Sequence, residues 1–157
     1  MPENTLIIGL GNPLRGDDGV GVRIVKELNE RTLPHNVDVV DGGTQGLGLI
    51  NLMENRQRVI LVDAVDIGQA PGDFVRFTLD EVLLPGSDQH LSIHAAGLRD
   101  ALLLAQTLNK LPPEVIIYGV QPKQFAWDTG LSPEVEASLP GLVAAVLVET
   151  RSQNGIL

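Results

Sequence analysis

The chain has 157 residues, 43% hydrophobic and 20% charged, with a net charge of −9 and no cysteine. That length and balance suit one globular domain, residues 1–157, burying roughly 70% of its unfolded surface. Disulfides, thiolate metal sites and a thiol nucleophile are excluded, and the negative charge disfavours nucleic acid and anionic membrane surfaces, which bind through Lys and Arg. Cationic groups, metal ions and basic peptide segments remain as partners. No apolar run reaches the length of a membrane span, so no membrane insertion is expected. The start Met1-Pro2-Glu3-Asn4 does not read as a signal peptide, and a cytoplasmic location is the simplest expectation.

Thr5 to Leu10 is unbroken in apolar character and predicts a buried strand. Gly9 to Gly21 follows as GLGNPLRGDDGVG. A dinucleotide fingerprint would need a third glycine where Leu14 stands. Asp17 and Asp18 lie where the next helix begins, and their charge would repel a phosphate from the helix N-terminus. The loop therefore reads as a carboxylate presented at the mouth of a sheet, suited to a cation. Residues 18 to 31 predict a helix with Val20, Val22, Ile24, Val25 and Leu28 as the apolar side chains of one buried face and Asp17 or Asp18 as its N-cap.

Val37 to Val40 is the second strand, ending in Asp41-Gly42-Gly43-Thr44, and a short helix follows over Gly46 to Glu54. Arg58 to Ala64 is the clearest central strand, and the alternation of Asp73 to Asp80 marks an edge strand. Leu91 to Lys110 reads as the longest helix, with Leu98, Ala101, Leu102, Ala105 and Leu108 on one face. Glu114 to Val120 is another buried strand, Pro133 to Arg151 a closing helix, and Ser152 to Leu157 a frayed tail. Strands alternating with helices predict an α/β/α sandwich around a mainly parallel sheet.

Ligands of such sheets bind beyond the carboxyl ends of the strands. Asp18 follows the first strand and Asp63 ends the third, so both carboxylates fall on one rim. Asp17 and Asp18 could simply cap a helix, but one cap accounts for one Asp. Asp63 could be satisfied by loop N–H groups, and Asp66 reads as a solvated turn residue. His94 lies one turn before Leu98, near a helix N-terminus that favours the neutral imidazole; a lone histidine there can also be an ordinary core residue. His35 and His90 sit in turns expected to be exposed. Asp18, Asp63 and His94 form an O/O/N set that suits a divalent metal with open positions or an acid/base dyad.

At these residues the sequence resembles the hydrogenase maturation endopeptidases, which trim the large subunit of nickel–iron hydrogenases. The opening pattern is carried by Gly9, Gly11, Asn12, Leu14, Asp17, Asp18, Gly19 and Gly21, and the second box by Asp41 to Thr44 with Gly46-Leu47. Asp63-Ala64, His94 before Gly97-Leu98, and Gly119-Val120-Gln121-Pro122 complete it. The resemblance implies a five-stranded mixed sheet whose antiparallel strand is Asp73 to Asp80. It implies a metal-contacting set of Asp18, Asp63 and His94, with Asp18 and Asp63 as catalytic candidates and Asp41, Gly42, Gly43 and Thr44 shaping the substrate crevice. The implied reaction is one cut near the C-terminus of the large-subunit precursor, with nickel supplied by that precursor as the recognition element and no organic cofactor. Metal-assisted and aspartic-type hydrolysis both fit; the lack of cysteine and of a Ser-His pairing motif argues against a covalent route. A nickel-sensing chaperone that does not cut, and an atypical nucleotide-using α/β enzyme, are the competing readings.

Overall fold

The computed structural model describes residues 4–44, 46–83 and 93–152, with the backbone alone for 46–47, 93–96 and 152. Five strands, β1 (Thr5–Leu10), β2 (Val37–Gly43), β3 (Arg58–Ala64), β4 (Phe74–Thr78) and β5 (Glu114–Val120), form one sheet in the order β2-β1-β3-β5-β4. Pairings are parallel except β4 with β5, which is antiparallel at the edge. The helices are α1 (Val20–Asn29), α2 (Gly46–Met53), α3 (Leu79–Leu83), α4 (Ile93–Thr107) and α5 (Pro133–Ser152). The expected three-layer sandwich with a mixed, mainly parallel sheet is what the chain adopts.

Strand alternation sorts the core into two halves. Ile7, Ile60, Val62, Ile116 and Tyr118 face α1 and α5, packing on Val20, Ile24, Leu28, Leu139 and Leu142. Leu6, Ile8, Val59, Leu61 and Ile117 face the other way, onto Leu49 and Met53 of α2 and Leu98, Leu102 and Ala105 of α4. Thus α1 and α2, which flank β2 in the chain, lie on opposite faces of the sheet. Strand order reverses between β1 and β3, and a crevice opens at their carboxyl ends, as such a reversal requires.

The structure corrects several expectations. The first helix starts at Val20, after a 3-10 turn over Gly16–Gly19; Gly19 is its N-cap and no side chain caps it. Neither Asp17 nor Asp18 is the cap, because the Asp17 carboxylate accepts from the Lys123 and Ser132 N–H groups of a distant loop and the Asp18 carboxylate from Asn12 in its own loop. Among the described residues the longest helix is α5, of 20 residues, with 15 described for α4. Leu108 lies beyond the end of α4 and is 50% exposed, off the buried face assigned to it. His35 is exposed as expected, whereas Leu91, Ser92, His90 and the tail beyond Ser152 fall outside the described residues.

Glycine spacing in the first loop has a packing cause. A Cβ on Gly21 would lie 2.3 Å from the Leu10 carbonyl oxygen and 2.7 Å from that of Val62, and a Cβ on Gly9 only 2.1 Å from the Gly21 carbonyl oxygen. Helix α1 therefore crosses β1 in backbone contact, and Gly21 fills the close-packing role of the glycine missing at Leu14. Gly21→Ala is expected to cost about 1–3 kcal/mol by overpacking rigid backbone, measured as a lowered urea midpoint; an unchanged midpoint would contradict this packing.

Candidate active site

The site begins where β1 ends. Gly11, at φ +117, turns the chain so that a Cβ there would sit 2.0 Å from the Asp18 carbonyl oxygen, a position only glycine can hold. The Asn12 N–H then donates to Asp18 Oδ2 at 2.8 Å, and the Asp18 N–H donates to the Arg15 carbonyl at 3.0 Å. Loop 12–18 thus closes on itself and presents the Asp18 carboxylate half-buried at the crevice.

Asp63 arrives from the adjacent strand. It continues the row Val59, Leu61 along the face packed against α2 and α4, in a slot where an apolar side chain would be ordinary. Only 9% of it is exposed, and among the described residues the one hydrogen bond it accepts comes from its neighbour, the Ala64 N–H, at 2.9 Å. Burial, reinforced by the nearby charge of Asp18 and opposed by the Ala64 N–H, pushes the Asp63 carboxyl up to about 7. A carboxyl so shifted exchanges its proton near neutral pH, as general acid/base chemistry requires.

Both carboxylates line a cavity of about 230 Å³ with Leu10, Gly11, Gly43, Thr44, Leu49, Ala64, Gly97, Leu98 and Ala101. Asp18 Oδ1 and Asp63 Oδ2 make no hydrogen bond among the described residues, so one oxygen of each is free for a cation or a water. These are two of the three expected metal contacts; among the described residues no group of three His, Asp or Glu side chains is placed to hold a metal ion, and the third expected ligand, His94, is in the first turn of α4. Its side chain lies outside the described residues. Gly97 and Leu98, one turn on, are on the cavity wall.

The Asp41–Thr44 box divides. Gly9 pairs with Asp41 and Leu10 with Gly43, leaving Gly42 as a bulge. A Cβ on Gly42 would lie 2.5 Å from the Ile8 side chain. The bulge carries Gly43 and Thr44 to the cavity, while Asp41 Oδ1 accepts from the Gly43 N–H at 2.8 Å and holds the turn instead of lining the wall. Asp66 likewise accepts from the Gly68 N–H at 3.2 Å in an exposed turn.

Two residues named in the sequence motifs take structural roles that the sequence did not assign them. Gln121 is buried, and its Oε1 accepts from the Ile67 N–H at 2.7 Å and the Gln69 N–H at 3.3 Å, fixing the loop that follows Asp63. Asp17 is fully buried: its oxygens accept from the N–H of Ser132 (2.6 Å), Lys123 (2.7 Å) and Gln124 (3.2 Å) and from Ser132 Oγ (2.9 Å). The adjacent acids therefore split, Asp17 into the scaffold and Asp18 into the crevice.

The α/β sandwich thus brings two carboxylates, Asp18 and Asp63, into one crevice at its strand-order reversal. The family model described as HycI, hydrogenase maturation protease, matches residues 22–149. The hydrogenase 2 maturation protease of Escherichia coli K12 is 36% identical over 95% of this chain and 92% of its own. A hydrogenase expression/formation protein, HupD, of Rhodobacter capsulatus is 35% identical over 96% of this chain and 73% of its own. The solved hydrogenase maturating endopeptidase HybD of E. coli superposes with a TM-score of 0.80 at 32% identity, covering 94% of this chain and 92% of that one. The chain belongs to the hydrogenase maturation protease family, and is a peptidase.

Proposed function

We propose that this peptidase removes the C-terminal extension of a nickel–iron hydrogenase large-subunit precursor after nickel insertion. The observation that carries the reading is the Asp18–Asp63 pair, two carboxylates with one free oxygen each in a single cavity, in a chain of this family. Nickel arrives as part of the substrate, and Asp18, Asp63 and His94 would contact it; bound there it supplies positive charge that docks the precursor and polarises the scissile carbonyl. Asp63 is poised to take a proton from the attacking water and return it to the departing amide nitrogen. Thr44 and Gly43 shape the wall against which the scissile segment lies. The cysteine-free composition accords with a cytoplasmic location. Among the described residues, no helix is long and apolar enough to cross a membrane.

The test is the intact mass of nickel-loaded precursor after incubation with the protein, beside nickel-free precursor and an Asp18→Asn variant. Loss of a short C-terminal peptide only from the nickel-loaded form, and only with the wild type, is expected. Equal cutting of the nickel-free precursor would remove nickel as the recognition element. Tight binding without any mass change would replace the peptidase role with that of a chaperone.

A further inference from the structure

The cavity of about 230 Å³ is smaller than the ~300–1,000 Å³ pockets that enclose drug-sized ligands. It can take a metal and the atoms around one peptide bond, so a protein substrate must be recognised mainly outside it. The loop that presents Asp18 carries such a surface. Leu14 is 56% exposed and Trp127 62% exposed. Arg15 lies between them, its guanidinium 5.4 Å from the Trp127 ring centroid and 5.7 Å from that of Phe125. Backbone contacts weld the two loops together: Arg15 forms an antiparallel bridge with Trp127, and the Asp128 N–H donates to the Leu14 carbonyl at 2.8 Å.

Among the described residues, Arg15 pairs with no carboxylate and its side chain makes no hydrogen bond, its buried Nε included. Neighbouring cations behave differently: Arg23 pairs with Glu136 at 2.5 Å and Lys123 with Glu134 at 2.6 Å. Although the chain carries a net charge of −9, a guanidinium left without a carboxylate among the described residues, beside two exposed apolar side chains, is a local cationic spot complementary to a carboxylate on a partner. Cation–π contact with the two rings holds the guanidinium between them without neutralising its charge.

We propose that Leu14, Arg15 and Trp127 form the docking surface for the substrate polypeptide, receiving an apolar side chain flanked by a carboxylate outside the scissile segment. The proposal rests on the proteolytic reading above. It assigns to this surface the binding step and leaves the chemistry to the cavity, which the shared loop 12–18 holds in fixed relation to it. Trp and Arg are the residue types that most often dominate protein interfaces.

Trp127 is the only tryptophan, so protein labelled with 5-fluorotryptophan gives one fluorine resonance that reads this surface alone. Adding nickel-loaded large-subunit precursor is expected to shift that resonance. In processing assays, Leu14→Asp and Arg15→Gln are expected to raise KM about ten-fold or more with kcat within about two-fold. Leu14→Asp alters an exposed side chain, and equal melting temperatures confirm that it folds. If the wild type processes the precursor while both variants keep its KM and the resonance stays still, the docking surface lies elsewhere. A wild type that neither binds nor cuts the precursor defeats the proteolytic reading itself. A resonance that moves with protein concentration alone assigns the surface to a second copy of the chain and overturns the proposal.

Discussion

Asp63→Asn is expected to abolish processing while making the metal-free protein more stable above pH 7. The carboxyl is pushed up to about 7 by burial first and by the Asp18 charge second, whereas in the unfolded chain it titrates near its ordinary value of 3.8. Between those two values the folded state binds more protons than the unfolded one, so stability falls as pH rises through that window. Above pH 7 the penalty is complete, on the order of 4 kcal/mol for a shift of this size. Below about pH 4 it vanishes, because both states are protonated. Asparagine has the same shape without the charge, so the variant loses this term and the repulsion of Asp18 with it. Melting temperature should therefore fall more from pH 5 to pH 8 in the wild type than in Asp63→Asn. Processing should drop by about 10²–10⁴-fold, as for a lost general acid/base. Parallel melting profiles, or a rate within about ten-fold of wild type, would show that Asp63 is only a buried strand end.

Asp63 was legible in the sequence because it breaks the pattern of its own strand. Arg58 to Ala64 is buried throughout, and an ionisable group in the row of Val59 and Leu61 has no structural reason to be there. The inner strands were equally legible, since unbroken apolar runs report burial directly; the edge strand was legible only in outline, because Phe74–Thr78 is half-buried at every position but the exposed Arg76 and its burial does not alternate. The role of Asp17 was not legible. Asp17 and Asp18 both lie at a helix start, where capping is the local expectation, and only the distant backbone of Lys123, Gln124 and Ser132 decides which one turns inward. The same holds for Arg15 and Trp127, remote in sequence and joined by a bridge that no periodicity reveals. Gly21 misled in another way: the fingerprint fails at Leu14, yet the close helix–strand contact it encodes is kept by a glycine further along.

Asp17→Ala and Asp18→Ala are expected to part company by the widest margin of any neighbouring pair in the chain. Asp17 gathers three backbone N–H groups and the Ser132 hydroxyl in a site with no solvent exposure. Its removal leaves those donors buried without an acceptor, each such group costing about 1–3 kcal/mol. A total of about 3–5 kcal/mol, as for removing one partner of a buried charged cluster, corresponds to a fall in melting temperature of roughly 10 °C or more at this chain length. Asp17→Asn should recover little, because its NH₂ meets N–H donors where a carboxylate oxygen accepted. Asp18 accepts one hydrogen bond, from the Asn12 N–H, and is only half-buried. Asp18→Ala gives up about 1 kcal/mol there and relieves its repulsion of Asp63, so its melting temperature should stay near wild type while processing is lost. It should also carry the Asp63 titration to lower pH, since the Asp18 charge is one of the two forces holding it up. Thermal melts of the two variants beside a single processing assay measure the division directly. Equal destabilisation would mean that the crevice carboxylate, too, belongs to the scaffold, and Asp63 would then have to act alone.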